Sequence, residues 1–327
     1  MAGDGWGSRN NWQSIASTLN PCKNQPANRV SVRMVAPVNP CSLMLNLILG
    51  AVMISFSAVF VKLVSVPPET SAFYRMLFGG LILLGIVLWR RERFRVTPRA
   101  AAMLLLVAVF FALDLTFWHR SIIYVGPGLA TLLANFQVFV LVAVGVLVFG
   151  ERMTWFQVAS IPLAVIGLVL LVGLDWSSFS AHYRLGVLLG LLTACCYAGY
   201  LLALRRTRIS ETTGSPFVTL MAVSLLCAGI LALLIWPEHA SFGIPHWKDV
   251  GWLVAYGIFG QVLGWVLISS SISKVRASQV GLVLLLQPVC AFIWDVLFFG
   301  RRFTLVEIAG AVLAMAAIYL GSIRQPR

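Results

Sequence analysis

Apolar and polar positions alternate along the chain in long blocks, with apolar runs near residues 43–66, 69–89, 101–119, 126–149, 154–173, 185–204, 216–236, 250–272, 277–299 and 304–323. A helix of about 20 residues, rising 1.5 Å per residue, crosses about 30 Å of hydrocarbon. It also pairs its own backbone N–H and C=O groups, which a bilayer requires. The pattern predicts an all-α membrane protein with ten transmembrane helices. Breakers and turn formers sit between the runs: Pro67-Pro68, Thr97-Pro98, Gly126-Pro127-Gly128, Gly214-Ser215-Pro216, Pro237 and Pro245. Connections this short imply antiparallel neighbours.

Composition agrees with the pattern. Hydrophobic residues make up 60% of the 327 positions and charged residues only 11%, against about 25% charged in a soluble domain. A net charge of +13 would suggest nucleic acid as a partner in a soluble protein. Here the basic residues lie between apolar runs, so no nucleic-acid partner is expected and the charge reads as topology. With the amino terminus inside, 17 Lys and Arg fall in cytoplasmic segments and 5 on the opposite side, leaving Lys62 and Arg75 within spans. Positive loops stay cytoplasmic, so both termini are expected there. Residues 1–42 read as a polar cytoplasmic tail, expected to be disordered; the first 33 of them lack an apolar signal region, and Met34 offers an alternative start. The six cysteines show no CxxC or His/Cys ligand spacing and are taken as small packing residues, so no metal or cofactor is expected.

The chain repeats itself at an interval of 150 residues. Val125/Val275, Leu132/Leu282, Gln137/Gln287, Phe149/Phe299, Gly150/Gly300, Arg152/Arg302, Thr154/Thr304 and Ala159/Ala309 coincide without a gap. Two apolar helices can share leucine by chance, but a shared mid-span glutamine and a shared FGxR boundary are harder to obtain that way. Five spans per half is an odd number, so the halves enter the membrane in opposite directions. The expected architecture is a 5+5 inverted repeat, with one five-helix unit over 43–173 and another over 185–323. Such pseudo-symmetry suits a carrier that exposes a midplane site alternately to either side.

Several stretches carry a family likeness: Pro67-Pro68 after the first span, Phe73-Tyr74-Arg75, the run from Leu113 to His119, and Gly150-Glu151-Arg152-Met153-Thr154 closing the fourth span. Their order and the repeat resemble the drug/metabolite transporter superfamily, and within it the EamA-like exporters, from about 43 to 323. The resemblance implies a multi-pass carrier of the plasma (inner) membrane that exports amino acids or related small metabolites. Two departures stand out. The second repeat reads Gly300-Arg301-Arg302 where the family has a Gly-Glu pair, and Val138 follows Gln137 where the family has proline, which the ninth span keeps as Gln287-Pro288.

Polar groups within a span cost free energy and need a reason. Gln137 and Gln287 fall mid-span as repeat mates, with Asn135 two residues before the first, and could offer amide donors and acceptors to a polar substrate. They could equally bond neighbouring helices. Trp118, Tyr197, Trp265 and Phe117 could wall a cavity or simply pack. Lys62, Arg75 and Asp114 lie in the first three spans and are expected to cluster one to two turns from the outer face, as a gate, a carboxylate anchor or a static ion pair. Asp295 is a further carboxylate near an outer end. Either Asp114 or Asp295 could carry a coupling proton. The four histidines sit at loop edges in this reading and form no ligand set, which argues against an enzyme, and no ring of like charge suggests a channel. A lipid-phosphate translocase stays open, since Lys62 and Arg75 could attract a phosphate headgroup.

Overall fold

A computed structural model describes residues 40–92, 97–173, 179–209, 215–236, 242–272, 280 and 283–323. The tail, but for its last residues, lies outside them, as do Arg93, Arg95, Lys274, Arg276, Arg324 and Arg327, which entered the orientation argument. Among the described residues every regular element is a helix. They run α1 (Pro40–Ser55), α2 (Ser57–Leu63), α3 (Pro68–Trp89), α4 (Pro98–Val125), α5 (Pro127–Asn135), α6 (Gln137–Phe149), α7 (Trp155–Val172), α8 (Ala181–Ile209), α9 (Pro216–Ile235), α10 (Trp247–Tyr256), a π-helical α11 (Gly257–Leu263), α12 (Gly264–Ile272), α13 (Leu286–Phe299) and α14 (Leu305–Ser322).

Nine stretches among them are long and apolar enough to cross a membrane, three being composites of α1–α2, α5–α6 and α10–α12. The expected span at 277–299 is represented by the shorter apolar α13; residues 277–279, 281 and 282 lie outside the described set. The expected third span is too short. α4 continues six residues past His119 to Val125, because the polar residues that suggested a boundary are paired: Arg120 Nε donates to Glu69 Oε1, and His119 is bonded through both ring nitrogens.

Helix starts follow local chemistry. Pro68, Pro98, Pro127 and Pro216 each open a helix, where a missing N–H costs nothing and φ is already set. Thr97 and Ser215 cap two of these helices through their hydroxyls. α7 and α14 open on matching capping boxes, Thr154 with Gln157 and Thr304 with Glu307. α6 and α13 end on glycines in the left-handed region, Gly150 and Gly300, both at φ 63°.

α4 packs on α8, α3 on α9, and α7 on α14. Small residues set the last contact: a Cβ on Gly167 would lie 2.6 Å from the Ala314 backbone nitrogen, and one on Gly310 2.5 Å from that of Leu171. The two backbones touch, the close approach by which helices associate in lipid, where burial of apolar surface offers little drive. Met76, Val107, Phe111, Leu115 and Tyr200 fill the interior between α3, α4, α8 and α9. Leu147, Val148, Trp155, Leu305 and Val306 point outward, as a surface facing acyl chains requires.

Candidate functional site

Four interruptions of helical register fall around one cavity. Phe56, Phe136 and Leu285 separate or precede helices with nearly the same dihedrals, φ −66°, −62° and −65° with ψ −17°, −9° and −13°. Shortened i→i−3 bonds from Val59 to Phe56 and from Phe139 to Phe136 accompany two of them, the tightening expected at a hinge. The π-helical turn α11 is the fourth. Ile54, Asn135, Gln137, Leu284, Gln287 and Trp265 flank these interruptions, and all six line a cavity of about 110 Å³.

The same cavity is lined by Arg75 from α3, Asp114 and Trp118 from α4, and Thr193 and Tyr197 from α8. All six residues proposed from sequence as substrate contacts, Gln137, Gln287, Asn135, Trp118, Tyr197 and Trp265, therefore meet in one place. Asn135 Nδ2 donates to Thr131 O at 2.8 Å, while Gln137 Oε1 is buried without a hydrogen-bond partner among the described residues. Arg75 and Asp114, 4% and 6% exposed, face this space from different helices, and no ion pair joins them among the described residues. The charged cluster expected of Lys62, Arg75 and Asp114 does not form.

Arg75 is held from the other half of the chain. Its Nη1 donates to Tyr256 Oη at 3.0 Å and Nη2 to Gly260 O at 3.4 Å, and its Cζ lies 4.9 Å from the centre of the Tyr256 ring. The Tyr256 hydroxyl also bonds His119 Nε2 at 3.0 Å, and His119 Nδ1 bonds Leu115 O at 2.7 Å. His119 is fully buried, not at a loop edge as the sequence suggested. It was missed because the third span seemed to end there, and Tyr256 carried no signal beyond being aromatic.

Lys62 belongs to a second network, at the end of the bundle where α2, α4 and α13 finish. Asp295, fully buried, lies 3.7 Å from Lys62 Nζ and 3.6 Å from Arg301 Nη1, and accepts the Gly128 N–H at 3.3 Å. Arg301 Nη1 also donates to Val125 O, and Nη2 lies 3.9 Å from Glu307 Oε1. Gly126, at φ 89°, allows the approach, since a Cβ there would meet Arg301 Nη1 at 2.6 Å and Asp295 Oδ2 at 2.7 Å. The Arg301 flagged as a departure thus holds Asp295. In the repeat-equivalent corner Gly145 replaces Asp295 and Glu151 replaces Arg301, so that corner has no such pair.

Comparison with known proteins identifies the chain. A family model described as the EamA-like transporter family matches it twice, over residues 42–173 and 184–323. The chain belongs to the EamA-like transporter family. A probable amino-acid metabolite efflux pump of Salmonella typhimurium is 27% identical over 212 residues, 59% of this chain and 66% of that one. The S-adenosylmethionine/S-adenosylhomocysteine transporter of Chlamydia muridarum is 25% identical over 267 residues, 77% of this chain and 82% of that one. A solved crystal structure shares the fold at a TM-score of 0.60 and 18% identity, covering 86% of this chain and 95% of its own. This EamA-like protein is accordingly a multi-pass membrane transporter, with family and relatives pointing to transport and not to catalysis.

Proposed function

We propose that the protein is a ten-helix, 5+5 inverted-repeat secondary carrier of the plasma membrane, with both termini cytoplasmic, that exports amino acids or related small metabolites by alternating access. The cavity is its substrate site. The observation that carries this reading is a cation, Arg75, and a carboxylate, Asp114, both buried, both facing one cavity and not paired with each other. Buried charges with no direct ion pair are costly, and a zwitterion supplies a counter-charge to each. The Gln137 and Gln287 amides fit the remaining polar groups of such a molecule, and Trp118, Tyr197 and Trp265 its apolar part. The two relatives, a probable amino-acid metabolite efflux pump and an S-adenosylmethionine/S-adenosylhomocysteine transporter, agree with that class. Broken helices around the cavity and corners that match at Gly150 and Gly300 support the repeat reading.

A lipid-phosphate substrate keeps only one of its two basic residues, because Lys62 lies with Asp295 and does not line the cavity, leaving Arg75 alone. Asp114 is left as the carboxylate free to take a coupling proton, since Asp295 is committed as well. Uptake of a labelled panel of amino acids and S-adenosylmethionine into proteoliposomes tests the assignment, with and without a pH gradient. Saturable uptake that falls at least about tenfold in folded Gln137→Ala and Gln287→Ala is expected, from the loss of about 1.5 kcal/mol per amide contact. Folded variants that transport at the unaltered rate refute the site, and no uptake of any panel member refutes the substrate class.

A further inference from the structure

The hydrogen bonds that hold Arg75 have a direction, fixed at the far end. A backbone carbonyl can only accept, so the bond between Leu115 O and His119 Nδ1 places the imidazole proton on Nδ1. Nε2 then carries a lone pair and accepts the Tyr256 O–H. With its proton so committed, the Tyr256 oxygen is left as an acceptor, and Arg75 Nη1 donates into it. An imidazolium would reverse the middle bond. It would turn the tyrosine proton out without an acceptor and set a second cation beside the guanidinium in the same buried space. The neutral ring is therefore part of what seats the arginine.

Tyr256 and Gly260 between them occupy one N–H on each terminal nitrogen of Arg75. The Nε–H is buried and has no partner among the described residues, in a side chain that lines the cavity. A buried donor on a cation, fixed in orientation and lacking an acceptor, suits an anionic group brought by a ligand. Resting on the reading of the cavity as the substrate site, we infer that His119 and Tyr256 are positioning residues that aim Arg75 at a carboxylate of the transported molecule. The discrimination of an acid from its amide passes through these two side chains. Neither was visible as a candidate in the sequence.

The test compares each of leucine, methionine and phenylalanine with its own carboxamide, which keeps the side chain and the ammonium but not the anion. Reconstituted full-length protein is expected to prefer the acid by about 10- to 100-fold in Vmax/KM, the range of a charge-assisted hydrogen bond. Arg75→Gln brings that ratio near one. Tyr256→Phe and His119→Leu lower it to within a few-fold of one, through KM for the acid more than through Vmax. His119→Gln keeps an acceptor near the Nε2 position and recovers most of the preference. General damage to the fold lowers acid and amide together and leaves the ratio intact, so the ratio separates positioning from stability. Retention of the full preference in both Tyr256→Phe and His119→Leu overturns the inference. Equal uptake of acid and amide by the unaltered protein overturns it while sparing the cavity as a substrate site, whereas absence of saturable uptake overturns both.

Discussion

Replacing Asp295 by asparagine exchanges one oxygen for an amide nitrogen at a position with no solvent exposure, and four interactions change at once. The Gly128 N–H keeps an acceptor, but a neutral one, at a cost of about 1 kcal/mol. The carboxylate also faces the first turn of α5, where a negative charge contributes about 0.5–1 kcal/mol. Lys62 and Arg301 are 31% and 24% exposed, so the two ion pairs, at 3.7 and 3.6 Å, are screened and add about 0.5–1 kcal/mol each. The terms that cross between the halves, to Lys62 and to the start of α5, come to about 2.5 kcal/mol, or a factor of about 70 in an equilibrium constant. They bind the ends of α2 and α5 to α13, one half of the chain to the other, so the loss falls on the state in which this end is shut. A single cysteine at Thr131, which lines the cavity, reports that state when the native cysteines are replaced. A membrane-impermeant maleimide applied from the Asp295 face should label it up to about 70-fold faster in Asp295→Asn. Labelling within twofold of the parent, in a variant that also melts at the parent temperature, would refute this account of the closed end.

Further substitutions test the packing and the caps by thermal unfolding in detergent. Gly126→Ala places a Cβ at φ 89° against the Asp295–Arg301 pair, and should lower stability by at least about 1–2 kcal/mol; no change in melting temperature would mean the turn relaxes freely. Gly167→Ala inserts a methyl 2.6 Å from a backbone atom of α14, so a loss of about 1–3 kcal/mol is expected, and Gly85→Ala, where nothing lies within 4 Å, serves as the control, unchanged or stabilised by up to about 1 kcal/mol. Thr304→Ala removes a cap from α14 and should cost about 1 kcal/mol, matched by Thr154→Ala at the equivalent corner.

Much of the architecture was legible because span edges are written in local chemistry. Pro68, Pro98 and Pro216 open helices where the breakers stand in the sequence, and Gly150 and Gly300 close two others, α6 and α13. The cavity was legible in part, since mid-span amides have few reasons to exist and Gln137 and Gln287 do meet there. Partnership was not legible. Lys62 and Asp295 are 233 positions apart, and nothing along the chain marks them as neighbours. His119 was misplaced for a related reason: hydropathy scores a residue as though it stood alone, so a histidine and an arginine in succession look like the end of a span. Glu69 and Tyr256, which make both tolerable, come from other helices. The π-turn at Gly257–Leu263 had no prior sign beyond its glycines.

The helix interruptions at Phe56, Phe136, Leu285 and α11 sit beside the cavity and away from the ends of the bundle. A rod jointed in its middle can swing one arm while the other stays anchored. Half a helix can therefore tilt without dragging its aqueous end through the headgroups, and the distance each charged loop must travel stays small. The interrupted backbone is also the backbone nearest the cavity, so a molecule bound there would act on the joints directly, as a key acts on the tumblers it touches.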